Sequence, residues 1–123
     1  MEYAIRLSPR DPQNGERYRW IGLAHLLQSR FDEAISWFEK ARNFDPRSGA
    51  ARSNLASAYA LKGETERAAA ELTEARNLTP DGRFSTIARL RASGGGYWGV
   101  PKVRALFEAT YFAGLRKAGM PEE

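Results

Sequence analysis

The sequence predicts an all-α fold of stacked antiparallel helix pairs, and two observations predict it. Apolar residues recur at three- and four-residue spacing with short breaks between, and the pattern of residues 15–48 returns in residues 49–82 at a constant offset of 34. The matched positions are Ile21 with Leu55, Gly22 with Ala56, His25 with Tyr59, Ala34 with Ala68, Phe38 with Leu72, Ala41 with Ala75 and Pro46 with Pro80.

Taken from the beginning, Ala4-Ile5-Arg6-Leu7-Ser8-Pro9 copies the end of a repeat, as Ala41-Arg42-Asn43-Phe44-Asp45-Pro46 shows, so residues 1–12 read as the close of a truncated preceding repeat. In residues 15–48, Tyr18, Ile21, His25 and Leu26 mark a first helix, Ser29-Arg30 breaks it, and Ala34, Ile35, Phe38 and Ala41 mark a second that ends at Asp45-Pro46. Residues 49–82 repeat the scheme with Leu55 and Tyr59, a break at Lys62-Gly63, then Ala68, Leu72 and Ala75 before Thr79-Pro80. Gly63 suits a left-handed helix end because it has no Cβ to clash, and Ser29 in the same place should be slightly strained. The prolines end the second helices by removing a donor and disfavouring helical geometry in the residue before them. The small residues Gly22, Ala56, Ala34, Ala68, Ala41 and Ala75 let paired backbones approach closely.

Beyond Pro80, residues 83–93 read as a degenerate third-repeat helix carrying Phe84, Ile87 and Leu90 and opened by Ser85, closed by Ser93-Gly94-Gly95-Gly96. Residues 101–118 read as a capping helix, with Val103, Leu106, Phe107, Thr110, Tyr111, Gly114 and Leu115 on one stripe and Lys102, Arg104, Glu108, Arg116 and Lys117 away from it. A cap of this kind covers the apolar face that the last repeat of a stack leaves bare. At the other end, Trp20 and Leu27 have only the remnant before them, which predicts self-association into a homo-oligomer through the N-terminal edge.

Tyr18, Ile21, Gly22, His25, Ala34, Phe38, Ala41 and Pro46, and again Leu55, Ala56, Tyr59, Ala68, Leu72, Ala75 and Pro80, resemble the tetratricopeptide repeat (TPR) signature. His25 departs from it where an aromatic stands, and Arg52 departs from it at the opening aromatic of the second unit. The resemblance implies a single domain over residues 1–123, a right-handed superhelix with two full repeats, partial repeats and a C-terminal capping helix. It also implies a scaffold that binds a protein or peptide partner and is not an enzyme. A narrower resemblance lies in Ala4 to Pro12, Ile21 to Ile35 and Tyr111 to Glu123, which look like the C-terminal TPR regions attached to bacterial adenylate or guanylate cyclases and some winged-helix regulators. That resemblance implies a regulatory module of a bacterial signalling protein. No cyclase catalytic domain is present, so no cyclase activity carries over to any residue.

In TPR stacks the first helix of each repeat lines the concave face. By register this makes Glu16, Arg19, Leu23 and Leu27, then Ser53, Asn54, Ser57 and Leu61, the candidate partner-binding residues. This mixed surface with an apolar strip suits an extended or helical peptide. TPR domains that grip a C-terminal carboxylate place an asparagine where Leu23 stands here, which argues against that mode. If these positions line an open groove, Arg19→Glu or Leu23→Asp abolishes partner capture and leaves helicity and melting nearly unchanged.

The remaining chemistry is sparse. The 123 residues contain no cysteine, which removes disulfides, thiolate nucleophiles and cysteine-built zinc sites and fits a cytoplasmic home. No apolar run reaches the roughly 18 residues that cross a bilayer, and Met1-Glu2-Tyr3-Ala4-Ile5-Arg6 lacks a signal-peptide pattern, so neither export nor a membrane anchor is expected. His25, the single histidine, reads as a core or partly buried side chain, and no metal or cofactor is expected. Gly94-Gly95-Gly96 lacks the Gly-Lys-Ser/Thr ending of a phosphate loop and reads as a connector. Tyr97 and Trp98 read as folding back on the last helices, and Asp32 with Glu33 as favourable charge at a helix start. The net charge of +4 reads as solvated exterior. The alternative is a helical-repeat nucleic-acid binder using Arg83, Arg89, Arg91, Lys102 and Arg104 with Tyr97 and Trp98, whose affinity would fall steeply with salt.

Overall fold

A computed structural model describes residues 14–93 and 101–123, and among these every regular element is helical. The expectations for the remnant at residues 1–12, for the glycine run and for Tyr97 and Trp98 lie outside the described residues, save that the first helix begins at Asn14.

The two units form two helix hairpins: α1 (Asn14–Leu27) with α2 (Phe31–Phe44), and α3 (Gly49–Lys62) with α4 (Thr65–Leu78). Helix α3 starts where the Ser48 hydroxyl accepts the Ala51 N–H at 3.1 Å, satisfying one of the amides a helix start leaves open. It ends at Gly63, whose φ of 94° lies in the left-handed region. Ser29, at the same place in the first hairpin, adopts φ 61° and is the one described residue other than glycine with positive φ, so it carries the penalty that glycine avoids.

Each hairpin closes on a size-matched pair. A Cβ on Gly22 would sit 2.5 Å from the Phe38 ring, so the large ring demands glycine opposite it. In the second hairpin the residue facing that register is Leu72, and Ala56 fits beside it, both buried. The same offset explains Arg52. Tyr18 packs on Trp37 with ring centroids 5.9 Å apart, and 34 positions on these two become Arg52 and Glu71, joined at 3.2 Å. An aromatic pair in one hairpin is thus an ion pair in the other. Glu71 also accepts from Arg42 of the first hairpin at 3.0 Å, which ties α2 to the second unit. Along the same seam Tyr59 donates to Glu39 at 2.6 Å and Lys62 pairs with Asp32.

The rest of the chain departs from a plain third repeat. Helix α5 (Ile87–Ser93) is opened by Thr86, whose hydroxyl accepts the Arg89 N–H at 3.1 Å, and not by Ser85 as expected. A last helix comprises α6 (Pro101–Phe107), a π-helical turn (Glu108–Phe112) and α7 (Ala113–Lys117). The expected place of this helix is the end of the stack, as a cap. It packs instead along α3, with its π turn also reaching α1, and so crosses the face formed by the first helices of the two hairpins. Its tail returns to α5, where the carbonyls of Pro121 and Glu122 accept the Ile87 and Ala88 amides, each at 2.9 Å, and cap that helix.

Helix α3 is consequently buried on every side. Leu55, Ala56, Ala58 and Tyr59 join the core shared with α1, α2 and α4, while Ser53, Asn54 and Ser57 lie toward α1 and the C-terminal helix.

Candidate functional site

The eight expected partner-binding residues do lie on α1 and α3, but most of them are covered. Leu23, Ser53, Asn54 and Ser57 are buried, with 3%, 1%, 2% and 0% of their surface exposed. Leu27 and Leu61 are half-buried against the core, Arg19 is half-buried, and Glu16 is exposed. What covers the floor is the chain's own C-terminal helix.

Side-chain chemistry fixes this cover in one register. The Ser53 hydroxyl donates to the Ala50 carbonyl at 2.8 Å, which leaves the Tyr111 hydroxyl to donate to Ser53 Oγ across 2.8 Å. One turn along, the Ser57 hydroxyl donates to the Tyr111 carbonyl at 2.8 Å. Gly114 stands against the same residue: a Cβ there would fall 2.5 Å from the Ser57 carbonyl oxygen and 2.8 Å from its Cα. Only glycine lets the two backbones come this close.

The π turn is what aims the aromatic rings. Thr110, Tyr111 and Phe112 are all buried, and three consecutive inward residues do not fit the single stripe of a straight α-helix. The Thr110 hydroxyl donates to the Leu106 carbonyl at 2.7 Å, a back-bond of the kind that bends helices. The widened turn brings Phe112 inward, a residue the regular spacing left off the stripe, while Leu106, which the spacing placed on it, is 46% exposed.

Charged side chains ring this packed centre. Glu108 receives both Arg91 of α5 and Arg116 of α7, and Arg116 also reaches Glu122. These contacts and the Glu108 charge hold the Arg116 guanidinium above its ordinary pKa, the bond to Glu122 being the largest influence. The Arg91 guanidinium lies 5.3 Å from the Phe112 ring centroid. At the open end, Arg19 grips Glu16 through two bonds of 2.9 and 3.1 Å and reaches Asn54 Oδ1 at 3.3 Å. The Arg19 hydrogen bond holds the Glu16 carboxyl below its usual range. Trp20 stands beside them, 38% exposed, its ring centroid 5.1 Å from the Arg19 guanidinium.

The expectation that Leu23→Asp spares the fold is overturned by this geometry. Leu23 belongs to the core cluster, so a carboxylate there carries the cost of burying a charge. Arg19 is a better probe, since it lies outside the core cluster and its guanidinium pairs with the exposed Glu16.

Elsewhere the chemistry is thin. His25 is half-buried as expected, with Nδ1 enclosed and without a hydrogen-bond partner among the described residues. Among the described residues no group of three or more histidine, aspartate or glutamate side chains stands close enough to hold a metal ion. No described helix is long and apolar enough to cross a membrane. Of the basic residues weighed for nucleic acid, Arg83 is bonded to Asp81 and Arg91 to Glu108, whereas Arg89 and Lys102 are exposed.

Comparison with known families agrees with the repeat geometry. A tetratricopeptide repeat profile matches residues 25–93, and a second tetratricopeptide repeat profile matches residues 1–45. No curated protein matches the sequence.

Proposed function

Because this chain belongs to the tetratricopeptide repeat family, whose repeats are generally protein-interaction modules, we propose that it is a non-catalytic scaffold whose concave groove, across α1 and α3, binds a helix of a protein partner. The observation that carries the reading is the amphipathic helix already lying in that groove, held by Ser53, Ser57 and the close seat at Gly114. A surface that takes one such helix in a fixed register has the shape and chemistry for another. Glu16, Arg19, Leu23 and Leu27 on one side and Ser53, Asn54, Ser57 and Leu61 on the other form the binding residues in this reading. Glu16, Arg19 and the neighbouring Trp20 are the ones a partner meets first.

The resemblance of Ala4 to Pro12, Ile21 to Ile35 and Tyr111 to Glu123 to TPR regions of bacterial cyclases supports a regulatory role within a cytoplasmic signalling protein. The exposed Trp20 supports self-association at the N-terminal edge, which sedimentation over a range of concentrations tests. The nucleic-acid reading takes second place because Arg83 and Arg91 are already spent on carboxylates.

The test is position-dependent crosslinking in cells. A photo-crosslinking residue at position 19 should join one defined protein, and the same residue at the exposed Glu74 on α4 should not. The same set of adducts from both positions would count against a groove partner.

A further inference from the structure

Three features of the C-terminal helix do not suit a permanent part of the core. The first is the floor it covers. Ser53 and Ser57 on α3 meet the C-terminal helix, with Asn54 beside them, and all three are buried. A satisfied hydroxyl pair adds little net stability over a well-packed apolar contact, while hydroxyls suit a face that water sometimes reaches. The second is the turn. Glu108–Phe112 is π-helical where it lies against α3 and α1, and a π turn is a rare, less favourable form of the helix that a released segment has no reason to keep. The third is the clasp. Outside the packed centre, the described residues join the segment to α5 through the Arg91–Glu108 ion pair, whose carboxylate is 31% exposed, and through the Pro121 and Glu122 carbonyls that cap α5, while Arg116 pairs within the segment itself; an ion pair so exposed is weak and salt-sensitive.

Against release stand Phe107, Tyr111, Phe112, Leu115 and Met120, all buried. Their burial and the entropy of ordering the segment from Pro101 to Glu123 are opposing terms of the same order, so the docked state is favoured by a modest difference. Gly94-Gly95-Gly96 precede the segment in the sequence.

The geometry points to this helix being an exchangeable internal ligand: the groove is shaped for an amphipathic helix that sets an aromatic ring and, three residues on, a glycine against Ser53 and Ser57, and a partner's helix of that pattern displaces the chain's own. The inference deepens the reading of the groove as a binding surface and rests on it. The partner carries an aromatic where Tyr111 lies and glycine where Gly114 lies, because any Cβ there meets α3 backbone. A partner must then compete with an intramolecular copy, so its apparent affinity is reduced by the fraction of chains with the groove open.

Two measurements on the full chain decide it without a natural partner. In hydrogen exchange of the wild type, amides of Tyr111–Leu115 should exchange at least about tenfold faster than those of Leu55–Tyr59, as a unit that opens separately. Equal protection of both segments, lost only on global unfolding, overturns the inference. The second measurement uses a labelled synthetic peptide of residues 101–123 as probe. It should bind the Gly114→Ala chain about two- to thirtyfold more tightly than the wild type, because the variant's own helix fits worse while the peptide keeps its glycine. Equal affinity for the two chains overturns the inference, and if the variant does not fold, the exchange result on the wild type stands alone. Neither readout involves a cellular partner, so failure of the crosslinking test would remove the proposed function while leaving the exchange of the helix measurable.

Discussion

Replacing Gly114 with alanine tests the packing of the last helix through the sign of its effect. In an exposed helix interior this change stabilises by roughly 0.5–1 kcal/mol, because glycine loses more backbone freedom on folding. Here the new Cβ would stand 2.5 Å from the Ser57 carbonyl oxygen and 2.8 Å from Ser57 Cα, and these backbone atoms cannot rotate aside. Overpacking of that kind costs about 1–3 kcal/mol. The net expectation is a loss of about 0.5–2 kcal/mol, which for a domain of this size lowers the melting temperature by roughly 2–8 °C. Urea titration followed by circular dichroism reads the free energy, and a calorimetric scan reads the midpoint. Adding Ser57→Ala should not restore stability, because the clash with the Ser57 backbone survives removal of the hydroxyl. A Gly114→Ala chain more stable than the wild type would refute the close seat of the helix on α3.

Other substitutions probe the two hairpins. Gly22→Ala should destabilise by about 1–3 kcal/mol through the Phe38 ring, and Phe38→Leu in the same chain should recover part of the loss by reproducing the Ala56–Leu72 match; a double-mutant cycle with no coupling would contradict the pairing. Glu71→Ala strips the partner shared by Arg42 and Arg52, whose Nε is already enclosed without one among the described residues, and should cost about 1–3 kcal/mol by denaturant titration. The Tyr59 phenol is pushed up to about 12, first by burial and then by its hydrogen bond to the Glu39 carboxylate. Since the folded chain holds that proton more tightly than an unfolded one, Tyr59 contributes stability that is full below its ordinary value of 10.0 and is lost as pH rises toward about 12. Phenolate absorbance should show a late-titrating component that Tyr59→Phe removes.

The repeating parts of the fold were legible because helix packing is a local matter of spacing and size. Ile21, Ala34, Phe38 and Ala41 and their counterparts 34 residues later carry the hairpins, and the left-handed Ser29 followed from its alignment with Gly63. Arg52 read as a departure from the repeat pattern when taken alone. It becomes intelligible with Glu71, which replaces Trp37 at the same offset, so the signal was a pair of changes and not a single one. The covered groove was not legible, because spacing on α3 marks Ser53 and Ser57 as one face without saying what lies on it. Regular periodicity also misplaced Leu106 and passed over Phe112, since a π turn adds a residue that a period of 3.6 does not count. The glycine at position 114 was visible as a member of the stripe, and its reason, close approach to the α3 backbone, belongs to tertiary packing alone.

The most direct test of the account is a nuclear Overhauser measurement on the full chain in solution. If the C-terminal helix fills the concave groove, the Gly114 Hα protons give strong cross-peaks to Ser57 and the Tyr111 ring gives cross-peaks to Ser53. Cross-peaks joining Gly114 and Tyr111 to α4 in place of α3 would put the helix at the end of the stack and contradict it.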